Sequence, residues 1–555
     1  MKRKHYLQFF VGLILIILLN VLASGYFFRI DLTQDKRYTI SDATIDVLEN
    51  LKDEVFVKVY LEGDFPATAS GFKRLQTAVR ETLDEFQIYA GDQVRYRFID
   101  PSAQTDAKAR NQFQMELMQK GLQPTNLIAK EGEQKTEKLI FPGALISYQG
   151  KETPVLLLKG NKAASRDEIL NQSVEGVEFE LASAIRLLTQ KEKKRVGFLL
   201  GYSQLAPSRI VDLTLSMQES YDVFAVDLPQ SPTLQGLDAI LMVKPDTAIA
   251  EADKYKIDQF IMNGGKALFF VDAMRVDSVG DQGTIAFPYN LNLDDLFFRY
   301  GLRLNANLIK DLNSGKIPLN VGVMGNQPQI QLMPWTFYPL VNSFNQHPIV
   351  RNMDAVYTKF VGTIDTVKAI GITKTPLMFT SQYTKVLASP VAVSFNEARR
   401  NLDPATYNNG PEPIAYLLEG AFESLFKNRI TASDERAKTF REKGLATKII
   451  VCSDGDLVVN EFDYRKKQPL PLGVDRFMGS MFANKDFVMH AIDYLMDEKG
   501  VIIARNKKIQ LRPLDRLRLK EERLQWQLMN MIFPVLLVLV FGVVHHYIRQ
   551  RKYAS

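Results

Sequence analysis

The sequence predicts an α/β protein held between two membrane-spanning helices. Three observations lead there: an apolar run at each end, a strand-helix-strand pattern soon after the first run, and a later series of near-continuous apolar strands separated by amphipathic helices.

The first run, residues 7–28, reads "LQFFVGLILIILLNVLASGYFF" and carries no charge, enough to cross a hydrocarbon core of roughly 30 Å as a helix. A cleavable signal peptide is the rival reading, but its apolar region spans only about 7–15 residues, so an uncleaved anchor fits better. The second run, residues 528–548, "LMNMIFPVLLVLVFGVVHHYI", is also free of Asp, Glu, Lys and Arg. Pro534 within it removes one helical hydrogen bond, which a membrane helix tolerates beside a helical neighbour. Two spans put both termini on one side. Lys2, Arg3 and Lys4 at one end, with Arg549, Arg551 and Lys552 at the other, place them in the cytoplasm and the bulk beyond the membrane. The juxtamembrane stretch 501–527 pulls the other way, since "KKIQLRPLDRLRLKEER" sets seven Lys and Arg residues just before the second span. The first helix usually dominates topology, so the first orientation is retained.

Between the spans, "EVFVKVYLEG" alternates like a strand, and Phe72, Leu75, Val79, Leu83 and Phe86 then form a helical stripe. A second strand, "VRYRFIDP", a polar helix up to Lys120 and a hairpin within 143–160 complete an order similar to a thioredoxin-like layout over residues 30–160. The CxxC of redox proteins is missing, which leaves scaffolding or binding. A connecting helix over 161–190 carries the stripe Val174, Val177, Leu181, Ile185 and Leu188.

Strands "RVGFLLG", "YDVFAVDL", "LDAILMVKP", "KALFFVD" and "TKIIVCSDGD" are apolar enough to lie buried on both faces, which predicts a parallel sheet in two parts, 191–280 and 441–500. Gly264 and Gly265 close the intervening helix "ADKYKIDQFIMNGG". Residues 281–440 break the rhythm with proline-rich and polar stretches and read as a partly β insertion.

Composition narrows the chemistry. A net charge of +6 over 555 residues is small, and the densest basic clusters abut apolar runs, which argues against nucleic acid as a partner. Cys452 is the sole cysteine, so an intramolecular disulfide and cysteine-rich zinc sites are excluded. His347 and His490 stand far apart, without HExxH, so no transition-metal site is expected. "NGGKAL" lacks the spacing and hydroxyl of a phosphate loop, and "GYSQL" lacks the second glycine of a nucleophile elbow. Cys452, His490 and a glutamate could imitate an amidase triad, but Cys452 sits inside a strand instead of at a sharp turn.

Two clusters are candidate ligand or partner surfaces. Asp454 and Asp456 in "CSDGDLVVN" follow a strand, at the edge where α/β folds bind ligands, although Asp and Gly there also make an ordinary turn. Trp335, Phe337 and Tyr338 in "MPWTFYP" suit either an exposed aromatic platform or core packing.

Five stretches then bring a family into view: "DLTQDKRYTISDAT" after the first span, "NQSVEGVEFELASAI", "NQHPIVRNMDAV", "SDGD", and "NKDFVMHAIDYLMDE" near the end. With a span at each terminus, the chain resembles the GldG family, the gliding-motility-associated auxiliary or "substrate-binding" components of ABC transport systems. The resemblance extends over essentially the whole length. It implies a sheet domain similar to glutamine amidotransferases and to a ciliary transport protein, without amidase residues or a cofactor. It also implies a non-catalytic subunit in the bacterial cytoplasmic membrane, periplasmic in bulk, beside a separate permease and a cytoplasmic ATPase and near other cell-envelope motility proteins. No ligand residues carry over. "FRIDLTQDKRYTIS" would then be a short stalk, and two anchors would raise the effective concentration of the outer part near the permease. A ligand-binding receptor and a membrane-anchored hydrolase remain as alternatives.

Overall fold

The structure, a computed structural model, describes residues 11–15, 17–18, 39–63, 65, 69–131, 134–159, 165–190, 192–279, 282–325, 327–430, 434–498, 500–506 and 522–553. It divides into a body, residues 1–508, and a C-terminal unit, residues 509–555.

In the body, the Ser41 hydroxyl accepts from the Thr44 amide at 3.3 Å and caps helix α1 (Asp42–Glu49). Strand β1 (Val55–Val59) leads into α2 (Ser70–Ala90), which buries the stripe Phe72, Leu75, Val79, Leu83 and Phe86 that the sequence predicts. Strand β2 (Val94–Phe98) returns parallel to β1, so α2 is the crossover. Helix α3 (Ala107–Gln119) and the hairpin β3 (Thr125–Glu131) and β4 (Gln134–Ile140) follow. That hairpin is an addition to the expected order. Its Lys, Glu, Gln and Thr hide the strand pattern, and it pairs only within itself among the described strands. The expected hairpin, β5 (Gly143–Tyr148) and β6 (Lys151–Leu156), completes a sheet of order β2-β1-β5-β6. Helix α4 (Arg166–Thr189) buries Val177, Leu181 and Ile185 in the same core as α2 and this sheet.

A second sheet holds eight strands among the described residues. Strands β7 (Arg195–Leu200), β8 (Asp222–Asp227), β9 (Ala239–Val243) and β10 (Lys266–Phe270) run parallel with the later β14 (Lys443–Cys452) in the order β14-β10-β9-β7-β8. Side chains alternate between two cores. Leu241, Leu268, Phe270, Ile450 and Cys452 face one side, covered by α5 (Val211–Ser220) and, later in the chain, a helix at Asn484–Met496. Ile240, Met242, Phe269 and Val451 face the other, covered by α6 (Glu251–Met262) and α7 (Asp294–Tyr300). Burying each of Phe269 and Phe270 contributes about 1.5–3 kcal/mol. Helix α6 ends as predicted: Gly264 takes φ +91° and the Gly265 amide donates to the Phe260 carbonyl at 3.0 Å.

The sheet differs from the purely parallel expectation. Residues 281–440 supply β11 (Ser343–Phe344), β12 (Ile372–Phe379) and β13 (Pro413–Glu423), which continue the sheet beyond β14 with antiparallel pairing. Pro376 within β12 stands at a register shift, and Gly420 within β13, at φ +148°, stays in register just before the shift between Ala421 and Glu423; both residues interrupt the apolar runs. The same segment builds a separate core around Trp335, Phe337, Leu308 and Val391, and a long hairpin, Ser314–Met324 with Gln327–Val341. Helix α8 (Asn484–Met496) closes the first face of the sheet.

The C-terminal unit contains helix α9 (Arg523–Tyr553), with Pro534 inside it. Its segment Arg523–Arg551 is the one helix among the described residues long and apolar enough to cross a membrane, and it contains the predicted span 528–548. Of the first apolar run, residues 11–15 and 17–18 are helical. The rest of 7–28, like the juxtamembrane residues 507–521, lies outside the described residues.

Candidate functional site

Strands β9, β10 and β14 are neighbours in the sheet, so the residues just past their C-terminal ends meet. They are Lys244, Asp272 and the Asp454 to Asp456 turn. The Lys244 ammonium lies 2.5 Å from Asp456 and 3.2 Å from Asp272. Carboxylate oxygens of Asp272, Asp454 and Asp456 fall within 4.8 Å of one another, a spacing that could surround a cation. Here the Lys244 ammonium already provides the positive charge, bridging two of the three.

Each residue of "SDGD" has a local task. The Ser453 hydroxyl donates to the Gly362 carbonyl at 2.6 Å. Asp454 is buried and accepts from the amides of Lys359 (2.9 Å), Asp456 (2.8 Å) and Leu457 (3.1 Å). The Gly455 amide donates to Asp272 at 2.6 Å, and a Cβ on Gly455 would sit 3.0 Å from the Lys244 Cα, so only glycine lets the turn pass this closely. Lys244 itself adopts φ +44°.

Burial would raise the Asp456 carboxyl, but the Lys244 and Lys359 charges outweigh it and hold it below the usual range. Burial pushes Asp272 up despite Lys244, and burial with the Asp456 and Asp272 charges pushes Asp454 well up. Lys244 is held above its ordinary value because Asp456 and Asp272 outweigh its own desolvation. The arrangement is a charge cluster that satisfies itself within the fold.

The aromatic candidates divide. Trp335 and Phe337 are buried, 1% and 0% exposed, with ring centroids 5.7 Å apart, so they are core residues and not a platform. Tyr338 is half-buried and points toward the acidic cluster: the Lys359 ammonium stands 5.4 Å from its ring, and burial pushes its hydroxyl up to about 12. Lys359 also pairs with Glu461. Asp454, Asp456 and Tyr338 are thus brought together around Lys359. Sequence reasoning missed Lys244, Asp272 and Lys359. The first two had a usable signal, since each directly follows or nearly follows an apolar strand.

Cys452 and His490 have different surroundings. Cys452 is wholly buried in β14, where burial and then Asp454 push its thiol well up. His490, on α8, packs against Phe179 at 6.5 Å, and burial with Arg505 and Lys159 holds its ring well below the usual imidazole value. A cavity of about 290 Å³ borders the cluster, lined by Asp272, Tyr289, Asp294, Phe297 and Arg303 among others.

The stretches that carry the family resemblance prove to be joints between layers. Glu178 on α4 accepts from the Ser41 amide (2.7 Å) and the Thr44 hydroxyl (3.0 Å). Glu175, one turn away, accepts from Arg351 (3.1 Å) and Asn352 (3.0 Å). Asn484 ties α8 to the Tyr357 amide and carbonyl and to the Leu457 carbonyl at 2.8–3.0 Å.

A family model described as "ABC-type uncharacterized transport system" matches residues 193–491, more than half of the chain, and the chain belongs to that family of auxiliary components. It is accordingly an accessory component of an ABC-type transport system. A model of a domain of unknown function matches residues 34–147. An uncharacterized protein of Borreliella burgdorferi is 20% identical over 570 aligned residues, covering 99% of both chains. Among solved structures, the N-terminal domain of mmIFT52 aligns at 10% identity over 57% of this chain and 100% of its own, with a TM-score of 0.31. A putative ThuA-like protein from Parabacteroides merdae aligns at 10% identity over 59% of this chain and 94% of its own, with a TM-score of 0.25.

Proposed function

We propose that this chain is a non-catalytic, membrane-anchored subunit that works beside a separate permease and ATPase, with its body in the periplasm between two spans, in bacterial gliding motility. The observation that carries the reading is the family match across 193–491, which takes in most of the large sheet. Helix α9 supports the anchoring. Lys244 supports the non-catalytic part, because it engages the acids that would otherwise be the best candidates for chemistry. The gliding role and the periplasmic placement rest on the resemblance and on terminal charge. ATP-driven movement of the partner's helices would shift the spans and reorient the body.

The test is purification from native membranes in mild detergent. The subunit should bring down a permease and an ATPase in fixed proportion; isolation without either refutes the reading. Removing 523–553 should abolish motility, and normal gliding without that helix would refute coupling through it.

A ligand-binding receptor is the second reading, favoured by the cavity beside Asp272. Ligand-dependent thermal stabilisation of the body would support it.

A further inference from the structure

We infer that two copies of this chain associate through strand β8 (Asp222–Asp227), which pairs antiparallel with the β8 of the second copy across a two-fold axis. This goes beyond the subunit role and does not depend on it.

Strand β8 stands at one end of the eight-stranded sheet, and among the described residues β7 is its only partner strand. The backbone shows which groups are spare. The Asp222 amide donates to the Lys194 carbonyl at 2.9 Å and the Leu228 amide to the Leu200 carbonyl at 3.1 Å, both toward the β7 side. Even-numbered residues therefore bond toward β7, and alternation along a strand turns the amides and carbonyls of Val223, Ala225 and Asp227 outward. Of these, the Asp227 carbonyl already accepts from the Ser231 amide at 2.9 Å. The outward groups of Val223 and Ala225 have no protein partner among the described residues.

Native edge strands are usually guarded by a charge, a proline, a bulge or a covering element. Between its terminal aspartates β8 shows none of these among the described residues. Val-Phe-Ala-Val has no charge and no proline, and its ladder with β7 runs without a register shift. Phe224 is 38% exposed, and Ala225 is exposed beside it. The edge is thus a short apolar template with spare hydrogen-bonding groups.

Symmetry and charge choose the occupant. A two-fold contact needs a stretch whose polarity reads alike in both directions, which Asp-Val-Phe-Ala-Val-Asp does. Antiparallel pairing sets outward residues against outward residues, so odd numbers oppose odd and even oppose even. Asp222 and Asp227 therefore never stand directly opposite each other, and the end charges do not forbid self-pairing. The engaged Asp227 carbonyl selects the register in which Val223 faces Ala225 of the second copy, since each of those two residues still has both groups to exchange. That register sets the two Phe224 side chains opposite each other on the axis, an aromatic cross-strand pair.

Because Cys452 is buried, a cysteine introduced on the surface cross-links alone. Opposed residues of a non-hydrogen-bonded antiparallel pair lie about 4.5 Å apart at Cα, within the disulfide range of about 4.4–6.8 Å. The full chain carrying Phe224→Cys would be oxidised with copper phenanthroline in native membranes. Ile370→Cys, 86% exposed and just before β12 toward the other end of the sheet, is the control. Most of the Phe224→Cys chain should shift to twice the monomer mass, while the control stays monomeric. Adding Ala225→Pro removes an outward amide, spares the β7 ladder and should abolish the shift, with circular dichroism unchanged. A Phe224→Cys chain that stays monomeric overturns the proposal; if its thiol is also shielded from maleimide, something other than a second copy, such as a strand of another protein, covers the edge. Equal cross-linking at 370 overturns it as random collision. A dimer that survives Ala225→Pro in a folded chain overturns it as contact without strand pairing.

Discussion

The Lys244 ammonium is 2.5 Å from Asp456, although the two residues follow different strands of the sheet, β9 and β14. Removing the lysine leaves the buried Asp272 without its ion pair and Asp456 with the remaining Lys359 charge to offset the two facing carboxylates. Lys244→Met keeps much of the apolar stem and should cost roughly 3 kcal/mol or more in unfolding free energy, the scale for breaking a buried pair. Adding Asp456→Asn should recover part of that loss, with a coupling of about 1–3 kcal/mol in the double-mutant cycle. Urea unfolding of the four proteins measures it. Strict additivity would mean that the pair does not compensate the cluster.

Acid should weaken the body through two histidines, His347 and His490. Burial, with Lys448, holds His347 at about 4 against an ordinary 6.5, and burial holds His490 well below its ordinary value. Between those limits the unfolded chain binds protons that the folded chain refuses. Their stability contribution is therefore complete above pH 6.5 and falls as pH drops toward 4. The raised carboxyls of Asp272 and Asp454 act in the opposite sense over the acid range, so a variant must isolate the histidines. His347→Gln with His490→Gln should flatten the stability difference between about pH 7.5 and about pH 5. An unchanged difference in that variant would contradict the assignment.

Asn484 should be irreplaceable where it stands. Its amide serves the Tyr357 carbonyl at 2.8 Å and the Leu457 carbonyl at 3.0 Å, and its oxygen accepts from the Tyr357 amide at 2.9 Å. Asn484→Leu orphans three buried backbone groups at about 1–3 kcal/mol each, so a loss of roughly 3 kcal/mol or more is expected. Asn484→Asp retains one bond, supplies no donor to the carbonyls and should also destabilise. Hydrogen exchange should show α8 and the turn after β14 opening together in both variants; protection equal to that of the parent protein would refute the joint.

What the sequence reveals depends on whether neighbours in space are neighbours in the chain. The α2 stripe from Phe72 to Phe86 is legible because one helix supplies the whole pattern. Strands β9, β10 and β14 are legible because burial on both faces makes them apolar throughout. Strands β12 and β13 escape notice because Pro376 and Gly420 break their runs and pairing with β14 is decided by tertiary context. The site follows the same rule. Asp454 and Asp456 sit together in a four-residue stretch, but their partners Lys244, Asp272 and Lys359 come from distant segments. Glu175 and Glu178 likewise look like the polar face of an amphipathic helix until Arg351 and Ser41 arrive beside them.

Cys452 offers a measurement that separates a scaffold from an enzyme. Its side chain is wholly buried in β14, and burial followed by the Asp454 charge keeps the thiol protonated well above its usual range. The thiolate is the reactive form, so native Cys452 should not be a nucleophile. Two outcomes follow. Alkylating reagents should modify it only when the sheet opens, at a rate that tracks the unfolding free energy and rises steeply with denaturant. Cys452→Ala, which removes a small apolar volume and the weak hydrogen bond between the sulfur and the Asp454 amide, should fold with a loss of about 1 kcal/mol and preserve membrane association and partner recovery. Rapid alkylation in native buffer, or loss of activity in a folded Cys452→Ala protein, would show that the thiol is accessible and used.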